Sequence, residues 1–231
     1  MSEPREYRQH RFAPPPGAVE LLVVRHGESA AAREGELFAV CDGQGDPPLH
    51  RNGRDQAERL ADRLEHEPLD ALYVSTLCRT AQTAAPLAAR RNMEPTVLAD
   101  LREVHLGEWE GGLVRRYAME GHPIALEIRK QERWDVIPGS ESAQDFRARI
   151  RRAVTTIAER HADQRVAVVT HGAWIGELLA IASGSRPFAF SGADNASISQ
   201  VVVLGDRWVV RRFNDTSHLT ERFSTAAQPP T

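Results

Sequence analysis

Glu20-Leu21-Leu22-Val23-Val24-Arg25-His26-Gly27 and Arg165-Val166-Ala167-Val168-Val169-Thr170-His171-Gly172 repeat one local pattern: an unbroken apolar run, one polar residue, then His-Gly. A run this short, with no alternation of polar residues, fits a strand buried on both faces, as in a parallel sheet covered by helices. Open α/β sheets bind ligands beyond the carboxyl ends of such strands, so the repetition predicts two imidazoles in one crevice. The glycine after each histidine is expected to let the backbone turn sharply and approach a ligand.

Working outward, Ala71–Val74 reads as another short strand, ended by Ser75-Thr76, and Thr96-Val97-Leu98 as an extended segment. Ala57, Leu60, Ala61 and Leu64 fall at helical spacing, predicting an amphipathic helix from Arg54 to Leu64, preceded by Asn52-Gly53. Further helices are expected from about Arg79 to Arg91, from an N-cap at Ser142 to about His161, and over Ala173–Ala182. Ile198–Leu204 and Trp208–Phe213, joined by Gly205-Asp206, read as a hairpin. Strands alternating with helices imply a three-layer α/β/α sandwich with a mostly parallel central sheet and an edge hairpin.

Residues 1–18, ending in Ala13-Pro14-Pro15-Pro16-Gly17, are expected to form a flexible arm, with 19–231 a single domain. Residues 30–48, with three glycines and two prolines, predict a long loop, and 108–138 a helical, lid-like insertion.

Composition narrows the partners. The 231 residues carry a net charge of -3, which points to neither nucleic acid nor a membrane. Two cysteines are too few for a disulfide framework. The opening residues lack the apolar core of a signal peptide, and no run of eighteen apolar residues exists. The expectation is a soluble cytoplasmic protein with reduced thiols. A homodimer through an edge strand is the default expectation for assembly.

The candidate chemistry gathers around His26. Arg25 beside it and Arg79, in Ser75-Thr76-Leu77-Cys78-Arg79-Thr80, would supply guanidinium donors suited to phosphoryl oxygens. The helix after His171 offers amide N–H groups and a positive dipole end to an anion, which brings Gly172 into a phosphate site. Neighbouring arginines should depress the pKa of His26 and keep it neutral and nucleophilic. Glu103 is the preferred proton donor to a leaving alkoxide, over Glu108 and Glu110. Arg115-Arg116 has two readings, an anion contact or a solvated helix face. Cys78 reads as a small filler in preference to a reactive thiol, and His105 and His218 as structural. The histidine spacing matches no common zinc pattern, so neither metal nor cofactor is expected.

These segments together carry a family resemblance. Arg25-His26-Gly27-Glu28-Ser29, Ser75–Ala84, Leu101-Arg102-Glu103 with Gly107–Gly111, and Val169–Gly172 occur in the order seen in the histidine phosphatase superfamily, phosphoglycerate-mutase-like branch. The resemblance, spanning about residues 19–215, implies His26 as phosphorylated nucleophile and Arg25, Arg79 and His171 as its phosphate pocket. It implies Glu103 as acid and base, with Ser29 and Gly172 as further phosphate contacts, no metal, and a small phosphorylated substrate. The chain departs from the mutase pattern: Ala32 and Leu106 stand where mutases carry Asn and Tyr, and Ala39–Gly43 replaces their aromatic, glycine-containing stretch. A metal-independent phosphomonoesterase is therefore the first expectation. A cofactor-dependent mutase is the alternative, and a non-catalytic phosphate-binding protein the alternative of another class.

Overall fold

Val19–Arg25, the strand β1, is buried on both faces along almost its whole length in the computed structural model, which describes residues 6–219. Residues 1–5 of the expected arm and 220–231 of the expected domain lie outside the described residues. After β1 come a small hairpin, β2 (Val40–Cys41) and β3 (Gln44–Gly45), then α1 (Arg51–Leu64), β4 (Ala71–Val74), α2 (Cys78–Arg91) and β5 (Thr96–Val97). The excursion carries α3 (Leu113–Glu120) and α4 (Pro123–Gln131); it is followed by α5 (Ala143–Arg160), β6 (Arg165–Thr170), α6 (Gly172–Ser183), β7 (Ile198–Leu204) and β8 (Arg207–Asp215).

The main sheet has the order β5-β4-β6-β1-β7-β8. Neighbours from β5 to β1 pair in parallel, while β7 pairs antiparallel with both β1 and β8. The sheet is thus mostly parallel with an antiparallel hairpin at one edge, as the sequence predicts. Alternation along β1 assigns its faces: Val19, Leu21 and Val23 pack with Phe146 and Ile150 of α5 and Trp174 and Leu178 of α6, while Leu22 and Val24 pack with Leu60 and Leu64 of α1 and Leu87 of α2. These are the three layers of an α/β/α sandwich, as expected. The excursion builds a small apolar cluster of its own from Trp109, Ala125, Ile128 and Ile137.

Three local expectations change. Asn52-Gly53 lies inside the helix instead of before it: α1 starts at Arg51, capped by His50, whose side chain accepts from the Asn52 amide. A Cβ on Gly53 would lie 2.0 Å from the Glu28 carbonyl oxygen, so close packing demands the glycine. The long loop over 30–48 contains β2 and β3, whose Gln44 side chain donates to the Glu103 carbonyl at 2.8 Å. Residues 6–16 form no helix or strand and are exposed, yet Phe12 lies under the Arg211 guanidinium, 3.9 Å from it. The Ser142 N-cap stands as read, its hydroxyl accepting from the Asp145 amide at 3.0 Å.

Candidate active site

Register sets the site. Arg25 pairs with Thr170 across β1 and β6, so the residues that follow, His26 and His171, leave the sheet at one level. Their ring centroids are 5.1 Å apart. Val74 pairs with Val169, which brings Ser75 to the same edge, and the Ser75 hydroxyl lies 2.9 Å from His171 Nε2. His171 is fully buried, and its Nδ1 has no hydrogen-bond partner among the described residues.

The tautomer of His26 follows from one contact. Nδ1 lies 2.7 Å from the Gly27 carbonyl oxygen, which only accepts, so Nδ1 carries the proton and Nε2 its lone pair. Burial chiefly, then Arg79 and Arg25, hold the His26 pKa well below its ordinary value, with Arg115 adding to the effect. The sequence argument named the arginines; desolvation is the larger cause. Burial first, then Arg79, His26, Arg25 and Arg149, hold the His171 pKa well below its ordinary value.

The glycines after the histidines have a role other than the one expected. Neither has a positive φ. A Cβ on Gly27 would meet the Gly53 carbonyl oxygen at 2.5 Å, and one on Gly172 would meet Arg25 Nε at 3.3 Å. Gly27 lets β1 run against α1, and Gly172 makes room for Arg25.

Arg25 Nη1 donates to the Ala193 carbonyl at 2.6 Å. Arg79, in the first turn of α2, donates to the Gly45 carbonyl at 3.1 Å and lies 3.5 Å from Asp46. Its Nε and Nη2 make no hydrogen bond among the described residues. Both guanidiniums line a pocket of about 100 Å³ together with His26, Glu103 and Arg115. Arg115 thus takes the anion-contact reading, and Arg116 the solvated one, exposed and paired with Glu120. Arg115 comes from the excursion and is anchored by the Ala30 carbonyl at 2.8 Å and the Ser29 hydroxyl at 2.6 Å. Burial, with Arg25 and Arg79 nearby, lowers its pKa to about 10, which leaves it charged at neutral pH.

Glu103 occupies the N-terminus of α6. Its Oε2 accepts from the Ala173 amide and its Oε1 from the Trp174 amide, each at 3.1 Å, with a third such bond from Val104. The anion site expected at this helix start therefore holds the chain's own carboxyl group. Glu110 lines the same pocket but is tied to the amides of Leu106 and Gly45, both at 2.8 Å, and Glu108 is exposed. Ser29 and Gly172 border the pocket without lining it, one holding Arg115 and the other lying under Arg25.

Sequence reasoning missed Arg149. This half-buried side chain donates from Nη1 to the carbonyls of Asp100 (2.9 Å) and Arg102 (2.8 Å), and from Nη2 to that of Glu103 (3.1 Å). It also grips Glu141 through two bonds of 2.9 and 2.7 Å. Nothing in a polar helix face distinguishes it from its arginine neighbours. Thr83, which the sequence offered only as part of the Ser75–Ala84 motif, gains a role: its hydroxyl accepts from the Gly27 amide at 2.9 Å and donates to the Arg79 carbonyl at 2.7 Å, joining the two phosphate-facing segments. Cys78 is a filler as read: burial and Asp46 push its thiol up to about 11. His105 accepts from the Gly107 amide at 3.1 Å, and His218 Nε2 lies 3.0 Å from the Ala196 carbonyl. Among the described residues no helix is long and apolar enough to cross a membrane.

Comparison with known proteins places this arrangement. The model of the histidine phosphatase superfamily (branch 1) matches residues 21–216. Phosphoglycerate mutase-like protein 4 of Arabidopsis thaliana is 35% identical over 209 residues, 87% of each chain. Phosphoserine phosphatase 1 of Hydrogenobacter thermophilus is 33% identical over 212 residues, 90% of this chain and 98% of that one. The solved structure of a mycobacterial glucosyl-3-phosphoglycerate phosphatase is similar with a TM-score of 0.72 at 28% identity, over 86% of this chain and 100% of that one.

Proposed function

The chain belongs to the histidine phosphatase superfamily, and from that premise we propose that it hydrolyses a small phosphomonoester through a phosphohistidine on His26, without a metal ion. The observation that carries this reading is the His26 Nδ1–Gly27 carbonyl bond of 2.7 Å, which leaves the Nε2 lone pair for attack within a field of three arginines.

His26 Nε2 attacks phosphorus as the ester P–O bond breaks, and the electron pair leaves on the alcohol oxygen. Glu103, in the same pocket, supplies the proton that this oxygen needs. The carboxylate so formed takes a proton from water, whose oxygen attacks phosphorus. The P–N bond breaks, the lone pair returns to Nε2, and inorganic phosphate leaves. Arg25 and Arg79 neutralise the equatorial oxygens, with His171 buried beside His26. Arg115 adds positive charge, held in place by Ser29, while Gly172 seats Arg25.

Leu106 supports water as the acceptor in preference to a second hydroxyl of the substrate. It lines the pocket close to Glu103 as an apolar side chain, offering no hydrogen bond to hold a phosphorylated intermediate while it reorients. The test is hydrolysis of 4-nitrophenyl phosphate with EDTA present, together with trapping of the phosphoenzyme. Activity that survives the chelator, with turnover and trapped phosphate both lost in His26→Ala, is expected. Retained turnover in that variant overturns the reading. Interconversion of two phosphoglycerates faster than their hydrolysis, dependent on a bisphosphorylated primer, would replace it with the mutase.

A further inference from the structure

The catalytic pocket shares a wall with a second cavity. Ala173, whose amide holds Glu103, lines both, and so do Val114, Trp109 and Trp134. The second cavity encloses about 370 Å³, within the usual range for an organic ligand. On α6 it is bounded by Gly172, Ala173 and Gly176, three residues with almost no side chain. Facing them are Ala125 and Ile128 of α4, and Phe188 packs against Trp134 with ring centroids 5.3 Å apart and planes tilted by 42°. Of the charged groups in the lining, Arg186 pairs with Glu132 and Glu177 with Arg147, while Arg25 and Arg129 also border the cavity.

Reaction geometry directs the leaving group here. An in-line displacement puts the leaving oxygen opposite His26 Nε2, and that oxygen must also reach Glu103. Glu103 adjoins the shared wall of Ala173 and Trp109. The wide opening on the other side of His26 mixes Glu28, Ser29, Arg33 and Arg115 with apolar residues such as Leu37 and Met119. Glu103 itself lines neither it nor the second cavity, but only the second cavity is walled by Ala173, whose amide holds Glu103.

We propose that the aromatic-walled cavity is the leaving-group subsite, and that it selects phosphomonoesters of alcohols carrying a flat apolar ring system. The proposal rests on the phosphohistidine reading above. Two esters of alcohols of like acidity separate recognition from leaving-group chemistry: 2-(1-naphthyl)ethyl phosphate and ethyl phosphate. The expected preference in kcat/KM for the naphthyl ester is on the order of a hundredfold, from burial of the ring system. Phe188→Ala, which removes one wall, and Ala118→Trp, which fills the cavity from α3, should each lower that ratio about tenfold. Equal kcat/KM for the two esters, or a ratio that neither variant moves, overturns the subsite.

Calorimetric titration with 2-(1-naphthyl)ethylphosphonate, which cannot be hydrolysed, gives an independent reading. Binding that weakens about tenfold in both variants supports the subsite even if neither ester turns over, and in that case only the phosphatase reading fails. Binding that neither variant weakens overturns the subsite.

Discussion

His26 and His171 stand with ring centroids 5.1 Å apart because Arg25 and Thr170 are partners in the parallel register of β1 and β6. Adjacent strands in such a sheet carry equivalent positions to the same edge. Two His-Gly segments more than a hundred residues apart thereby become one buried pair, neutral by desolvation and by the arginines around it. The pairing also makes the site an electrostatic construction: cations gather where no cationic imidazole is tolerated.

Glu103→Gln separates proton transfer from attack. For an alkyl phosphate, whose leaving oxygen needs a proton, kcat should fall by about 10²–10⁴. With 2,4-dinitrophenyl phosphate, whose leaving group needs none, the variant should still form the phosphoenzyme, seen as a burst of dinitrophenolate. Equal losses on the two substrates would remove Glu103 from the acid role.

Arg149→Met tests whether the Glu103 segment is held from below. The substitution removes donors to three carbonyls and strands the Glu141 carboxylate, which is mostly buried. Stability should fall by about 3 kcal/mol in urea unfolding. In the folded fraction kcat should drop while KM holds, because the phosphate-facing arginines are untouched. Arg149→Lys keeps the charge without the fork and should lie in between. A rise in KM at constant kcat would place Arg149 in substrate binding instead.

The two buried histidines predict an acid-sensitive fold. Their pKa values are depressed in the native state, while in the unfolded chain they protonate near 6.5. Their contribution is complete above about pH 6.5 and declines as pH falls towards the depressed native values. With two extra protons on the unfolded chain, the slope approaches about 2.7 kcal/mol per pH unit. His26→Asn should make it shallower by about 1.4 kcal/mol per unit, read from urea midpoints between about pH 4.5 and 7.5. An unchanged slope would mean that His26 titrates normally in the fold.

Gly53→Ala runs against helix propensity. Alanine in a helix is ordinarily favoured over glycine by about 1 kcal/mol. At this position the added carbon would lie 2.0 Å from the Glu28 carbonyl oxygen, so a net loss of about 1–3 kcal/mol is expected from thermal unfolding. A stabilised variant would show that the segment after His26 yields easily.

Much of the molecule was legible because its signals are local. The apolar runs at Glu20–Val24 and Val166–Val169, and the helical spacing of Ala57, Leu60 and Leu64, report burial through periodicity alone. Motifs around His26, Arg79, Glu103 and His171 carried the candidate site for the same reason. The start of α1 was legible only to within three residues, because a glycine demanded by packing against Glu28 is identical in sequence to one that flanks a helix. Arg149, and the role of Thr83 within its motif, were illegible because a hydrogen bond to a distant carbonyl or amide leaves no mark on neighbouring residues.

The sequence by itself determined the layered α/β class, the order of the strands along the chain and the residue types available for phosphoryl chemistry. Only the tertiary structure decided that Glu103, rather than a bound anion, occupies the amides at the start of α6. It also decided that Arg115 joins the pocket while Arg116 faces solvent, and that an aromatic cavity lies beside Glu103. Periodicity specifies which face of an element is buried. It does not specify which far residue meets that face, and charge, tautomer and leaving-group space all depend on those meetings.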